Sequence, residues 1–259
     1  MERYTKIKIN CSIEAGAGAS SAWYLTKAIR DLGHELTDDA DLVINVSSLD
    51  PVEKIPGKPY FLWDCDSFWH RQPKEDYDRV FISGSPEDLV RYDPGTIFLP
   101  HAFDEQIHRP MYVVKDYDIV MIGCASSLYK KRNKLVETLA SNFNVLHTQT
   151  DFGKDYAIEM SRGKLIFDRS LEDNIPMRFF EGMAIGVLLE NENKYLREYA
   201  TPGKHFIEYN KHNLVEKADH YLKNDDDRNQ MRIDSRINAL EKHTYKHRVL
   251  RILDELKYL

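Results

Sequence analysis

Arg178 and Glu181 stand three residues apart, a spacing that puts a guanidinium and a carboxylate on one face of a helix. The stretch that holds them, IPMRFFEGMAIGVLL, reads as a helix running into a buried strand. Pro176 suits a first helical turn, and Asp173 and Asn174 precede it where an N-cap belongs. Phe179, Phe180, Met183 and Ala184 recur at helical spacing before Gly186. A helix N-terminus offers unpaired N–H groups and a partial positive charge, both suited to phosphate. Arg178 adds a planar, bidentate donor. Glu181, one turn on, is placed to accept hydrogen bonds from the vicinal hydroxyls of a ribose. A phosphate donor beside a ribose acceptor is nucleotide chemistry. The alternative is an ordinary ion pair on a solvated helix face.

Three further groupings could carry chemistry. Gly123 ends a strand-like run, DIVMIG, where a ligand can approach the backbone closely; Arg132, with Lys131 beside it, follows at a helix start and could neutralise a diphosphate. GAGASS, with Gly16 and Gly18, partly matches the dinucleotide fingerprint G-x-G-x-x-G, but its third glycine is a serine. That leaves an NAD(P)-dependent oxidoreductase as one alternative and a plain strand–helix turn as another. Trp63, Asp64, Asp66, Trp69 and His70 cluster at a strand end, where open α/β sheets place ligands; rings beside acids suit sugars. His101 follows another strand and is a candidate for an acceptor proton. The DFG at 151–153 has no companion kinase motifs in order and is set aside.

RFFEGMAIGVLL, the following YLREYATPGKHFIEYN and the final HTYKHRVLRIL together resemble the C-terminal half of GT-B glycosyltransferases. The likeness is to the family 4-like group that includes spore-maturation-type glycosyltransferases, and it covers roughly residues 116–259. It implies two Rossmann-like α/β domains with parallel sheets facing a cleft. The expected organisation is an acceptor-side domain over 1–110, a nucleotide-sugar domain over 111–244, and a terminal helix, 245–259, crossing back to brace the first. Asp104 and Pro110 match the family's proline-closed linker. The resemblance implies a sugar transferred from a UDP- or GDP-linked donor, with retention at the anomeric carbon and without a metal or other cofactor. Gly16, Gly18, Gly123, Arg132, Arg178, Phe180 and Glu181 would face the donor; Asp64, Asp66 and His101 would meet the acceptor. The family's paired glutamates are imperfect here: Glu181 matches the second, and the first falls on Asp173, beside Glu172. A nucleotide-sugar binder without catalysis on the same fold is the remaining alternative.

The elements that must position these groups are short apolar strands alternating with helices: KIKINCS, DLVINV, PYFLW, RVFIS and TIFL, then DIVMIG, NVLH, KLIFD and a short strand at 206–209. Such alternation implies parallel sheets with right-handed crossovers. The 259 residues suffice for two domains. No apolar run approaches the ~20 residues of a membrane span. MERYTKIKIN lacks the apolar core of a secretory signal, so a cytoplasmic protein is expected. Cys11, Cys65 and Cys124 are widely spaced in strand-like segments, which reads as reduced, buried thiols without a disulfide or metal framework. A net charge of −6, with only the local cluster Lys130, Lys131, Arg132 and Lys134, disfavours bulk nucleic acid as a partner. The acceptor stays open, a modified nucleobase included.

Overall fold

The computed structural model describes residues 5–11, 17–46, 54–65, 77–171 and 173–259. Contacts divide the chain into two compact units: Met1–Asp104 with Asp173–Met177 and His243–Leu259, and Glu105–Glu172 with Arg178–Lys242.

The first unit holds β1 (Lys6–Asn10), α1 (Ala17–Asp31), β2 (Glu35–Leu36), β3 (Leu42–Val46), β4 (Tyr60–Asp64), β5 (Arg79–Ile82) and β6 (Ile97–Phe98). They form a parallel sheet in the order β2-β1-β3-β4-β5-β6. LVINV and YFLWD are buried along their whole length, which is why they are mostly apolar and not alternating, with Asn45 and Asp64 as buried polar exceptions. The helix after β1 starts at Ala17, so Gly18 lies in its first turn. Ser20 and Ser21 are buried inside it. Small residues let another helix come close there: the Tyr245 hydroxyl donates to Ser21 Oγ at 3.3 Å, and the Tyr24 and Tyr245 rings lie 5.3 Å apart. Gly16 and Asp66 lie outside the described residues, as do Trp69, His70 and Glu172.

The second unit begins with β7 (Tyr117–Ile122), α2 (Lys130–Ala140), β8 (Val145–Thr148), α3 (Lys154–Ser161) and β9 (Gly163–Phe167). It continues through α4 (Met177–Ile185), β10 (Leu188–Asn191), β11 (Ile207–Tyr209), α5 (Leu214–Lys223) and α6 (Asp225–Lys242). Its strands are parallel, in the order β11-β10-β9-β7-β8. Met121, Leu165, Phe167, Leu189 and Ile207 pack with Leu214 and Ala218 of α5 into one apolar layer. A close approach seats α4: a Cβ on Gly182 would lie 2.9 Å from Leu188 Cδ1, and one on Gly186 2.8 Å from Ile166 Cδ1. The helix starts at Met177, so Pro176 precedes it instead of occupying its first turn. The reason is local: Ile175 N–H donates to Gly84 O at 2.8 Å, fixing the segment before the helix within the first unit.

The last helix, α7 (Tyr245–Asp254), belongs to the first unit. Its buried Arg248 donates from Nε to Pro100 O and from Nη2 to His101 O, both at 2.8 Å. None of the three cysteines forms a disulfide. Cys65 is buried, but Cys124 is exposed, contrary to the expectation of buried thiols, because it stands just past the end of β7. Among the described residues no helix is long and apolar enough to cross a membrane.

Candidate active site

The ends of two neighbouring strands in the second unit define the site. β7 and β9 pair in parallel, with Ile119 opposite Leu165 and Val120 opposite Ile166. The chain leaves β7 at Gly123 and β9 at Asp168, so both stand at carboxyl ends, where α/β sheets bind ligands. Two helices aim cations at this edge. A Cβ on Gly123 would lie 3.0 Å from Arg178 Nη2 and 3.6 Å from Arg132 Nη2. Both guanidiniums therefore converge on the backbone of Gly123, and the missing side chain is what leaves them room.

Two like charges this close need compensation. Arg178 Nη1 donates to Asp168 Oδ1. Burial opposes the Arg178 charge, but Asp168, Tyr156 and Glu181 outweigh it and hold the guanidinium above its ordinary pKa. Arg132 is buried; burial and the neighbouring Arg178 lower its pKa, while Asp168 acts the other way. Its Nη2 donates to Cys124 O, and its guanidinium carbon lies 4.0 Å from the Tyr129 ring centre. Among the described residues, Arg132 Nε, Arg178 Nε, Asp168 Oδ2 and Glu190 Oε2 are buried without a hydrogen-bond partner. Unsatisfied buried groups are rare in folded proteins. These four atoms, near the carboxyl ends of neighbouring strands, are polar groups that the described residues do not satisfy.

Glu181 does not form the ion pair with Arg178 that the three-residue spacing suggested, because Asp168 takes that guanidinium. Glu181 Oε1 instead lies 3.3 Å from Nε2 of the fully buried His108, and the Tyr156 hydroxyl also bonds to it. The two rings meet edge-on at 6.1 Å. Burial raises the Glu181 pKa to about 7, against the opposing pull of Tyr156 and Arg178. Burial, with Asp168 adding to it, lifts Glu190 well above the carboxylate range. With Glu190 neutral and Glu181 about half ionised at neutral pH, carboxylate charge does not match the two guanidiniums, which favours an anionic ligand.

The other expected site residues fall elsewhere. Phe180 is fully buried, its ring 5.4 Å from Phe179 and 5.8 Å from Tyr199, so it packs the core and does not face a donor. Asp64 is fully buried in the first unit, where it accepts from the Tyr92 hydroxyl at 2.8 Å. Trp63 donates from Nε1 to Leu99 O at 3.1 Å and is core. His101 is buried between Ser21 Oγ at 3.3 Å and Ser83 Oγ at 3.4 Å, and burial lowers its pKa to about 4. Asp64 and His101 therefore hold the first unit together and do not present an acid or base to an acceptor. Sequence reasoning had passed over Asp168, Tyr156, His108 and Glu190. An acid closing the strand KLIFD was the available signal for Asp168. Nothing local marks His108 or Tyr156, which reach Glu181 from 73 and 25 residues away by subtraction of their numbers. Among the described residues no group of three or more His, Cys, Asp or Glu side chains could hold a metal ion.

Residues 115–254 match a family model described as glycosyl transferase-like. A search of curated proteins finds no match. Among solved structures the chain is similar to a glycosyltransferase involved in avilamycin A biosynthesis, at 12% identity over 98% of each chain and a TM-score of 0.72. It is also similar to HepE from Anabaena in complex with UDP and glucose, at 9% identity over 99% of this chain and 100% of that one, with a TM-score of 0.68. The T4 phage β-glucosyltransferase with its UDP-glucose substrate is similar at 13% identity over 98% of each chain, with a TM-score of 0.61. At such identities the likeness concerns the fold, two parallel-sheet α/β units in the GT-B arrangement.

Proposed function

This chain belongs to the glycosyl transferase-like family and is a glycosyltransferase of the GT-B fold, and we propose that its donor is a nucleotide-linked hexose held by the second unit. One observation carries the donor assignment: the Arg132 and Arg178 guanidiniums converge on Gly123. Their charge suits a diphosphate, and the bare backbone of Gly123 lets its oxygens approach. The family resemblance assigns Glu181 the ribose diol, which would have to displace or share the His108 and Tyr156 partners that hold it here. The similar T4 phage and Anabaena proteins bind UDP-glucose and UDP, which makes uridine the first base to test.

In this reading the anomeric C–O bond to the diphosphate breaks as the acceptor oxygen attacks. The negative charge that develops on the leaving diphosphate is stabilised by two guanidiniums already in place. The acceptor proton passes to a diphosphate oxygen, with retention at the anomeric carbon, and no metal or further cofactor takes part. The family assignment displaces the oxidoreductase alternative built on Gly16 and Gly18. The free, exposed Cys124 supports a reducing, cytoplasmic setting. The acceptor is not assigned.

A thermal-shift screen with UDP, GDP, UDP-glucose, UDP-galactose and GDP-mannose tests the donor, followed by donor hydrolysis and transfer assays on each hit. Stabilisation by a nucleotide-sugar with turnover supports the reading. Stabilisation without turnover under any acceptor favours the non-catalytic binder, and no response to any nucleotide rejects the donor assignment.

A further inference from the structure

We propose that the Asp168 carboxylate reads a hydroxyl of the transferred sugar, and so decides which activated sugar the enzyme accepts. This rests on the donor assignment above. Asp168 is 1% exposed, and its Oδ1 is held by Arg178. Its Oδ2 is buried and has no hydrogen-bond partner among the described residues. A buried carboxylate oxygen left open is costly unless something that binds supplies a donor.

The neighbours of Asp168 restrict what that something is. The guanidinium that grips Oδ1 also turns its Nη2 toward Gly123. Oδ2 therefore lies one ion pair away from the place assigned to the diphosphate. A carboxylate cannot accept from a phosphate and is repelled by it. The partner of Oδ2 must be an O–H or N–H donor attached close to the phosphates. A nucleoside diphosphate sugar offers hydroxyls on both sides of its diphosphate. With the ribose given to Glu181, the remaining set belongs to the sugar, and the base lies farther off beyond the ribose.

Asp168 is also held in place as a specificity residue needs to be. The Tyr209 hydroxyl donates to its main-chain oxygen at 3.1 Å. Glu190 Oε1 accepts from Ser170 N at 2.9 Å and from Asn191 N at 3.0 Å, tying the turn after β9 to the end of β10. Neither bond uses Oδ2, which is buried and unpaired among the described residues in a fixed position.

The test is calorimetric titration of the wild type, Asp168→Asn and Asp168→Glu with UDP, dUDP, UDP-glucose, UDP-galactose and the monodeoxy analogues of the tighter-binding sugar nucleotide. In the wild type, one monodeoxy analogue should bind roughly tenfold more weakly than its parent, the loss expected when a buried acceptor goes unpaired. In Asp168→Asn that gap should close, each sugar nucleotide being compared with the variant's own UDP affinity. Should Asp168→Asn fail to fold, Asp168→Glu keeps a charge opposite Arg178 but displaces the oxygen, and it should close the same gap. A gap that persists in the folded variant overturns the proposal, as does a wild type indifferent to every sugar hydroxyl. A gap between UDP and dUDP that closes on substitution assigns Asp168 to the ribose and overturns it too. A wild type that binds no uridine nucleotide rejects the donor assignment itself, and the proposal with it.

Discussion

Replacing Glu181 by glutamine should remove a pH dependence that the structure builds into the second unit. Glu181 is buried against His108 and Tyr156, and its pKa rises from 4.5 to about 7. For an acid raised on folding, the native state holds its proton to higher pH than the unfolded chain does. The group therefore costs nothing below about pH 4.5, and the cost grows through the window between the two values and is complete above about pH 7. A rise of that size corresponds to roughly 3 kcal/mol withheld from the ionised form. Glutamine keeps the shape and never ionises. The stability of Glu181→Gln relative to wild type should therefore rise between pH 5 and pH 8, by an amount on the order of 1–3 kcal/mol. Urea unfolding of both proteins at each pH unit measures the difference directly. Donor binding should move the opposite way: wild-type affinity should increase through pH 7 as the carboxylate forms, while the variant binds weakly at every pH. A stability difference that stays constant from pH 5 to pH 8 would refute the claim that burial controls this carboxylate.

The remaining predictions concern other parts of the chain. Gly123→Ala places a Cβ 3.0 Å from the flexible ends of both Arg178 and Met121, so the side chains give way and the fold survives. Nucleotide affinity, read by calorimetry, should fall about tenfold with a melting temperature within a few degrees of wild type. His101 has its pKa lowered to about 4, so the folded form resists protonation that the unfolded chain accepts. Stability should fall as pH drops from about 6.5 toward 4, and His101→Gln should flatten that limb in urea titrations. Arg248→Met removes the buried donor to Pro100 O and His101 O and should destabilise the first unit by about 2–4 kcal/mol, seen in denaturation followed by tryptophan fluorescence.

The strands were legible because parallel sheets buried on both faces demand predominantly apolar runs, and LVINV, YFLWD and KLIFD are such runs apart from one or two polar residues each. Gly123 and Arg132 were legible for a similar reason, since a glycine at a strand end followed by cations has few structural uses. The helix around Glu181 was found, but its neighbours were not. Spacing along one helix pairs Arg178 with Glu181, whereas the sheet delivers Asp168 to Arg178 from the adjoining strand end. His108 and Tyr156 reach Glu181 through tertiary packing that no local period encodes. The strand-end cluster in the first unit misled for the converse reason. Trp63, Asp64 and His101 have types that suit a sugar site, yet a Tyr92 hydroxyl, a backbone carbonyl and two serines satisfy them inside the core. Residue type alone does not distinguish a polar group waiting for a ligand from one already paired.

Calorimetric binding of UDP to the wild type and to Arg132→Ala, with uridine as the control, tests the diphosphate site most directly. Arg132 is the better arginine to remove, because deleting Arg178 would strand the buried Asp168 carboxylate, whereas among the described residues Arg132 donates to the Cys124 carbonyl and lies over the Tyr129 ring. UDP should bind the wild type in a single saturable step and lose at least tenfold in affinity for Arg132→Ala, with uridine far weaker and indifferent to the substitution. A folded Arg132→Ala protein that binds UDP as tightly as the wild type would contradict the assignment of these guanidiniums to the diphosphate.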